Sequence, residues 1–489
     1  MRAFVGQIFK YFLLLMGVII LVIIRESLPV ISGYGAKVVC SGVFVAGRAK
    51  VDVVREDLAS FPMDLASVTV DERDSSVTAS VWGIARRKAI YRRGLGATLV
   101  SGLSEAEIRG QRVDIASMPA VDPDTVDWPM GDRGAESAGV DVEGMRAAVG
   151  MAFAGSGSAT GTRAVVVVHK GKIVGERYAA GFDRHMRLAG WSMTKGVMNA
   201  LVGILVSQGR IDVREPAPVG GWKGDDRGRI SIGDLLHMNS GLSWWELYAG
   251  PGDATKMLFL EADMGAYAER CALRHQPGAV FNYSSGTVNI LSDIMRRRIA
   301  GNGGGDVEGG LAGAGSSGAG GKAGDGGYYR WPYEELFYKI GMYSTVLEPD
   351  AGGTFVGSSY CYATARDWAR FGLLYLWDGV WEGRRILPEG WVRYTRTGKG
   401  YGALWWLNGG EEDRGEAVGR EGKGRGAAGD GRERRYRGVP EDCFSCEGYE
   451  GQYIWVVPSK DLVVVRLAME HGRRLRVSDF LQAVIRAVK

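Results

Sequence analysis

At 489 residues, with 46% hydrophobic residues and 14 tryptophans, the chain has material for a large core and for two or three domains. A net charge of +4 on this length, without arginines interleaved with aromatics, argues against nucleic acid as a partner. Five cysteines are too sparse and too odd a set for a disulfide scaffold, and none of the five histidines pairs at zinc-ligand spacing, so no metal or organic cofactor is expected.

Tyr11 to Ile24 is an unbroken apolar run, with Arg2 and Lys10 before it and Arg25-Glu26 after. It falls short of the roughly 20 residues of a spanning helix. Basic flanks at the N-terminus nevertheless predict a signal anchor or signal peptide over residues 1–30. That would give the chain a membrane contact and put the remainder outside the cytoplasm. Ser32-Gly-Tyr-Gly-Ala36 is a weak candidate for cleavage.

Residues 31–139 read as an N-terminal extension, with strands at Val77–Gly83 and Ala89–Tyr91 and a connecting loop over Pro119–Gly134. An amphipathic helix over 140–153 precedes a hairpin, Ala164–Tyr178, that turns at Lys170-Gly171-Lys172. Helices are expected at Ser231–His237, Thr255–Cys271 and Thr287–Ile299. A second hairpin joins Gln452–Val457 to Asp461–Leu467, and Ser478–Val488 closes the chain as a helix.

Strands early, helices in the middle, strands and a helix late predict an α/β fold of the α+β type over residues 140–489. Its antiparallel sheet would be built from both chain ends, flanked by helices, with a helical subdomain inserted. Residues 301–327 and 408–438 are rich in glycine and poor in apolar residues, and are expected to be disordered surface insertions.

Chemistry concentrates at Trp191-Ser192-Met193-Thr194-Lys195-Gly196. Three residues apart at the start of a helix, Ser192 and Lys195 share a face, so the amine can reach the hydroxyl. A lysine activates a serine when burial or nearby positive charge lowers its pKa. Phe281-Asn282-Tyr283-Ser284-Ser285-Gly286 leads into a later helix, and a tyrosine beside an ammonium can have a lowered pKa and relay a proton. Gly448-Tyr449-Glu450-Gly451-Gln452 enters the late strand, where a backbone N–H can face an oxyanion and Gly451 would let substrate approach.

Ser-x-x-Lys on a helix, Tyr-x-Ser in a helical region and x-x-Gly at a late strand, in that order, resemble the serine β-lactamase/penicillin-binding-protein superfamily. The resemblance is to the branch that holds 6-aminohexanoate-dimer hydrolase, class C β-lactamases and related esterases. Leu235–Leu242, Gly357–Gly372 and Gly379–Pro388 carry it further, over residues 160 to 489 apart from the insertions. It implies Ser192 as acylated nucleophile, Lys195 as its proton partner, and Tyr283 as shuttle. The oxyanion hole would be the N–H groups of Ser192 and Gln452, with Ser285, Tyr449, Gly451 and Trp191 at the substrate.

Two positions depart from the family's pattern. Ser285 stands where the family usually has Asn, and Tyr449 where it commonly has Lys or His. Tyrosine supplies no full positive charge for a substrate carboxylate, so a neutral pocket and a small linear amide or ester are expected. The rival readings are a β-lactamase or D-Ala-D-Ala carboxypeptidase, and a catalytically silent scaffold or ligand sensor.

Overall fold

The computed structural model describes residues 2–111, 113–117, 119, 121–134, 140–154, 161–248, 250–301, 327–409 and 434–488. Except at their margins, the expected insertions at 301–327 and 408–438 lie outside the described residues.

Arg2–Phe44 forms one helix, so the expected boundary near residue 30 is not a structural one. From Leu28 onward the helix is largely buried, because it lies across a four-stranded antiparallel sheet. That sheet comprises Ala66–Asp71 (β1), Ser76–Val81 (β2), Ile84–Arg92 (β3) and Gly96–Leu99 (β4), in sequential order. The strands expected near Val77 and Ala89 are β2 and β3. The stretch weighed for cleavage lies mid-helix with all five residues buried. Ile24–Phe44 is apolar and long enough to cross a membrane by length and composition, yet 78% of its apolar window is buried inside the protein.

The second sheet is built from both ends of the remaining chain, as the strand order predicts. Thr162–His169 (β5) is buried on both faces, which explains its continuous β-branched run. Lys170 (φ 49°) and Gly171 (φ 73°) take the left-handed conformations a two-residue hairpin turn needs, and the chain returns as Lys172–Tyr178 (β6). Leu188–Ala189 (β7), Val346–Leu347 (β8) and Cys361–Ala363 (β9) make a small separate sheet, and Val380–Trp381 (β10) pairs with Arg384–Arg385 (β11). Trp406–Leu407 (β12), Phe444–Gly448 (β13), Gln452–Val457 (β14) and Leu462–Ala468 (β15) then complete a six-stranded antiparallel sheet in the order β12-β13-β14-β15-β5-β6.

Alternate side chains of β5 serve different layers. Val165 and Val167 pack with the terminal helix Val477–Ala487 and the helix Val142–Phe153. Val166 and Val168 join the main core with the helices Thr194–Ser207 and Ala365–Leu376. The helix expected over Thr255–Cys271 is two helices, Asp253–Leu260 and Met264–Glu269. Asp263 breaks them apart by capping the second, its Oδ1 accepting from Ala266 N at 2.8 Å.

The N-terminal extension is fastened to the rest by buried polar groups. Glu348 is fully buried and ion-paired with Lys37 of the long helix, and it also accepts from Ser41 Oγ (2.9 Å) and Ala97 N (2.7 Å). Asp57 receives both Arg163 (2.9 and 2.8 Å) and Arg48. Removing one partner of a buried pair strands the other charge. Lys37→Met is expected to destabilise the protein by about 3 kcal/mol, and adding Glu348→Gln to recover part of that loss; urea-unfolding midpoints of the two variants check both.

Candidate active site

Gly190 ends the segment that begins with β7. Its N–H donates to Cys361 O at 2.8 Å, and a Cβ on it would lie 2.4 Å from the Trp368 ring. Trp191 follows with φ 47°, a left-handed conformation that costs a bulky residue about 1–3 kcal/mol. Packing holds it there: Tyr34 stacks on it at 6.1 Å, and Tyr449 meets it edge-on at 5.7 Å. Ser192 lies in the 3₁₀ turn Trp191–Met193, directly before the helix Thr194–Ser207. Thr194 Oγ1 closes that turn by donating to Trp191 O at 2.7 Å.

Lys195 is in the first turn of this helix and 1% exposed. Its Nζ lies 2.8 Å from Ser192 Oγ, 3.1 Å from Ser285 Oγ and 3.0 Å from Ser358 O. Desolvation lowers the amine from its ordinary value to about 8, with Glu246 pulling weakly the other way. The predicted spacing therefore does place the two side chains together.

Tyr283 also reaches them, in an orientation the sequence reading did not foresee. The Lys195 Nζ lies over its ring, 4.9 Å from the centroid. Burial, and then the charge of Glu246, raise the phenol well above its ordinary pKa, while a hydrogen bond with Ser192 opposes them. The expectation of a lowered pKa is corrected: this tyrosine stays protonated at neutral pH. Trp406 stacks on it at 5.5 Å, and its loop is pinned by Asn282, whose N–H donates to Met238 O at 2.7 Å.

Two of the expected substrate contacts move elsewhere. Ser285 is fully buried behind the lysine, accepting from Nζ and donating to Glu246 Oε1 at 2.5 Å. Gly451 (φ 86°) is a hairpin-turn glycine whose missing Cβ would meet Arg466 Nη1 at 2.6 Å, so it faces that guanidinium and not the substrate. Gln452 begins β14, whose strand contacts the serine turn; its side chain points inward to Ala468 O (2.6 Å) and Tyr449 O (2.9 Å). Gly448 lies close enough to that turn for a Cβ to meet Gly190 O at 2.2 Å. Trp405 is fully buried against Phe371, Tyr375 and Phe444.

Glu246 and Tyr248 were missed. The Glu246 carboxylate accepts from Trp244 Nε1 (2.5 Å), Ser285 N (2.9 Å), Ser285 Oγ and the Tyr248 hydroxyl. A lone acid among aromatics, Trp244-Trp245-Glu246-Leu247-Tyr248, is the one signal the sequence offers. Beside Ser192 a cleft is lined by Tyr34, Met63, Trp191, Tyr248, Thr255, Leu258, Phe259, Ser359 and Tyr449. Its free space of about 20 Å³ accommodates a single water.

A family model described as Beta-lactamase matches residues 142–303, a span that includes Ser192, Lys195 and Tyr283. A 6-aminohexanoate-dimer hydrolase of Paenarthrobacter ureafaciens is 25% identical over 370 residues, 66% of this chain and 80% of the relative. Over these spans the chain is similar to β-lactamase-like proteins. A structure from Bacillus anthracis, described provisionally as a 6-aminohexanoate-dimer hydrolase, shares the fold of this β-lactamase-like chain. It superposes with a TM-score of 0.50 at 20% identity, covering 68% of this chain and 83% of the other. The curated relative is by name a hydrolase.

Because Glu246 raises the Lys195 pKa, Glu246→Gln is expected to move the apparent pKa of the pH–rate profile downward. A profile of kcat/KM against pH for the two proteins checks the sign; a purely structural role would lower the plateau and leave its midpoint in place.

Proposed function

We propose that the protein is a serine hydrolase that cleaves a small linear amide or ester through an acyl-enzyme on Ser192. The observation that carries this reading is the buried Lys195 amine, 2.8 Å from the Ser192 hydroxyl and lowered to about 8. At pH 7 about one such lysine in ten is neutral, against about one in three thousand for a free lysine.

A neutral amine has two N–H groups and one lone pair. Ser358 O can only accept, and Ser285 Oγ has already given its proton to Glu246, so these two take the N–H groups. The lone pair is left for the Ser192 hydroxyl. Glu246 thus acts on Lys195 through Ser285 as a positioning residue.

In acylation Lys195 takes the Ser192 proton as Oγ bonds to the substrate carbonyl carbon. The N–H groups of Ser192 and Gln452 are the donors proposed for the resulting oxyanion. Tyr283, protonated and hydrogen-bonded to Ser192, gives its proton to the departing amine or alkoxide and regains one from the Lys195 ammonium. Lys195, neutral again, takes a proton from water as the water oxygen bonds to the acyl carbon, and passes that proton to Ser192 Oγ as the ester bond breaks and the acid leaves. Tyr449 supports a neutral amide or ester because it places a phenol where a cation would hold a carboxylate. The relative's name, a hydrolase of 6-aminohexanoate dimer, fits a linear amide of this kind.

We further propose that Tyr11–Ile24 anchors the protein in a membrane, with the folded part on the far side from Arg2 and Lys10. Alkaline carbonate extraction is expected to leave the full chain with the membrane; its complete release would overturn the anchor.

A fluorophosphonate probe is expected to add once to the protein, by intact mass, and not to Ser192→Ala. Lys195→Ala and Tyr283→Phe are each expected to lower ester turnover by about two to four orders of magnitude with folding retained. For the parent, kcat/KM is expected to rise with pH to a plateau above about 8, the value set by Lys195. Wild-type turnover in either variant would remove the mechanism.

A further inference from the structure

Two side chains of the cleft beside Ser192, Tyr34 and Met63, come from the N-terminal extension, far from every motif of the family. Their placement is built and not incidental. Tyr34 is flanked by glycines inside a helix, where each glycine costs about 1 kcal/mol relative to alanine. A Cβ on Gly33 would lie 2.7 Å from Phe259 O, and one on Gly35 would lie 3.0 Å from Ala66 Cβ. The bare backbone therefore lets the helix seat between the helix Asp253–Leu260 and β1.

That seating drives the Tyr34 ring flat against Trp191 (interplanar angle 4°) and edge-on against Phe259 (5.4 Å, 70°). Trp191 is the residue bonded to Ser192. Met63 enters from the short 3₁₀ turn Met63–Leu65 that leads into β1, and is half-buried. With Leu258 and Phe259 from the neighbouring helix, the cleft beyond Ser192 is apolar, and it is filled almost to closure.

We infer that Tyr34 and Met63 are the end wall of the acyl pocket and restrict the enzyme to esters or amides of short, unbranched aliphatic acids. This rests on Ser192 being the acylated residue. The wall belongs to the extension, so acyl length is set by a part of the chain that supplies none of the reacting groups. Shortening either side chain opens depth between the long helix and Asp253–Leu260, and each methylene newly housed is worth about fourfold in kcat/KM.

The test compares p-nitrophenyl acetate, butanoate, hexanoate, octanoate and decanoate as substrates of the full chain and of its Met63→Ala and Tyr34→Ala variants. The parent is expected to prefer acetate or butanoate and to fall at least tenfold by octanoate. In the variants the optimum should move two to four carbons longer, with the hexanoate-to-acetate ratio rising at least tenfold. Loss of folded protein lowers all five rates together and leaves that ratio unchanged, and Met63→Ala, at a half-buried site, guards against failure of Tyr34→Ala to fold. An unchanged ratio in a folded variant overturns the wall.

A second arm does not depend on the chemistry. Binding of butanamide, hexanamide and octanamide to the Ser192→Ala protein is measured by calorimetry, with and without Met63→Ala. Tighter binding of the longer amides only in the double variant supports the wall, and the same order of affinities in both overturns it. Absence of the fluorophosphonate adduct on Ser192 would instead overturn the acyl-enzyme reading, and the amide arm would still decide the wall.

Discussion

The desolvation of one amine governs the site. An ammonium at the position of Lys195 has to give up its water for two serine oxygens and a carbonyl, and that loss lowers its pKa to about 8, so that the neutral form is within reach at neutral pH. Everything nearby preserves that dryness. The helix is buried from Thr194 to Leu205. Gly196, next to the lysine, has no side chain, and a Cβ there would sit 2.3 Å from Cys446 Sγ. The Tyr283 ring covers the amine from another side. Glu246 is the counterweight: it is close enough to orient Ser285 and to raise the lysine slightly, but it forms no ion pair with it.

Much of this was legible in the sequence because it is written in local patterns. β-branched runs with a Lys-Gly turn specify the β5–β6 hairpin, and Ser-x-x-Lys specifies that an amine meets a hydroxyl on one helical face. Family order then joined Tyr283 and the β13–β14 turn to the serine.

What was not legible depends on distance or direction. Sequence proximity could place Tyr283 near Lys195, but not reveal that the ammonium faces the ring and leaves the phenol raised by burial. Gly451 has the composition of a substrate-facing glycine, and its backbone turns it toward Arg466. Glu246 sits in irregular chain, where no periodicity marks it. The Ser-Gly-Tyr-Gly-Ala stretch has the small residues of a cleavage site, and those residues serve close helix packing. The short apolar run before it concealed that the helix continues to Phe44 and docks into the fold.

The central sheet also dictates a schedule for synthesis. Thr162 of β5 and Arg466 of β15 are hydrogen-bonded at 2.9 Å across 304 positions of sequence. The hairpin β5–β6 leaves the ribosome first, with one edge of a fully buried strand open, and its partner β15 follows only after the intervening helices and strands have been made. The long helix meets β1–β4 within the first hundred residues, yet Glu348, which neutralises Lys37, comes much later. A half-made chain therefore carries an unpaired valine edge and an unpaired lysine destined for burial, which makes a truncated product of this protein a natural substrate for chaperones and proteases.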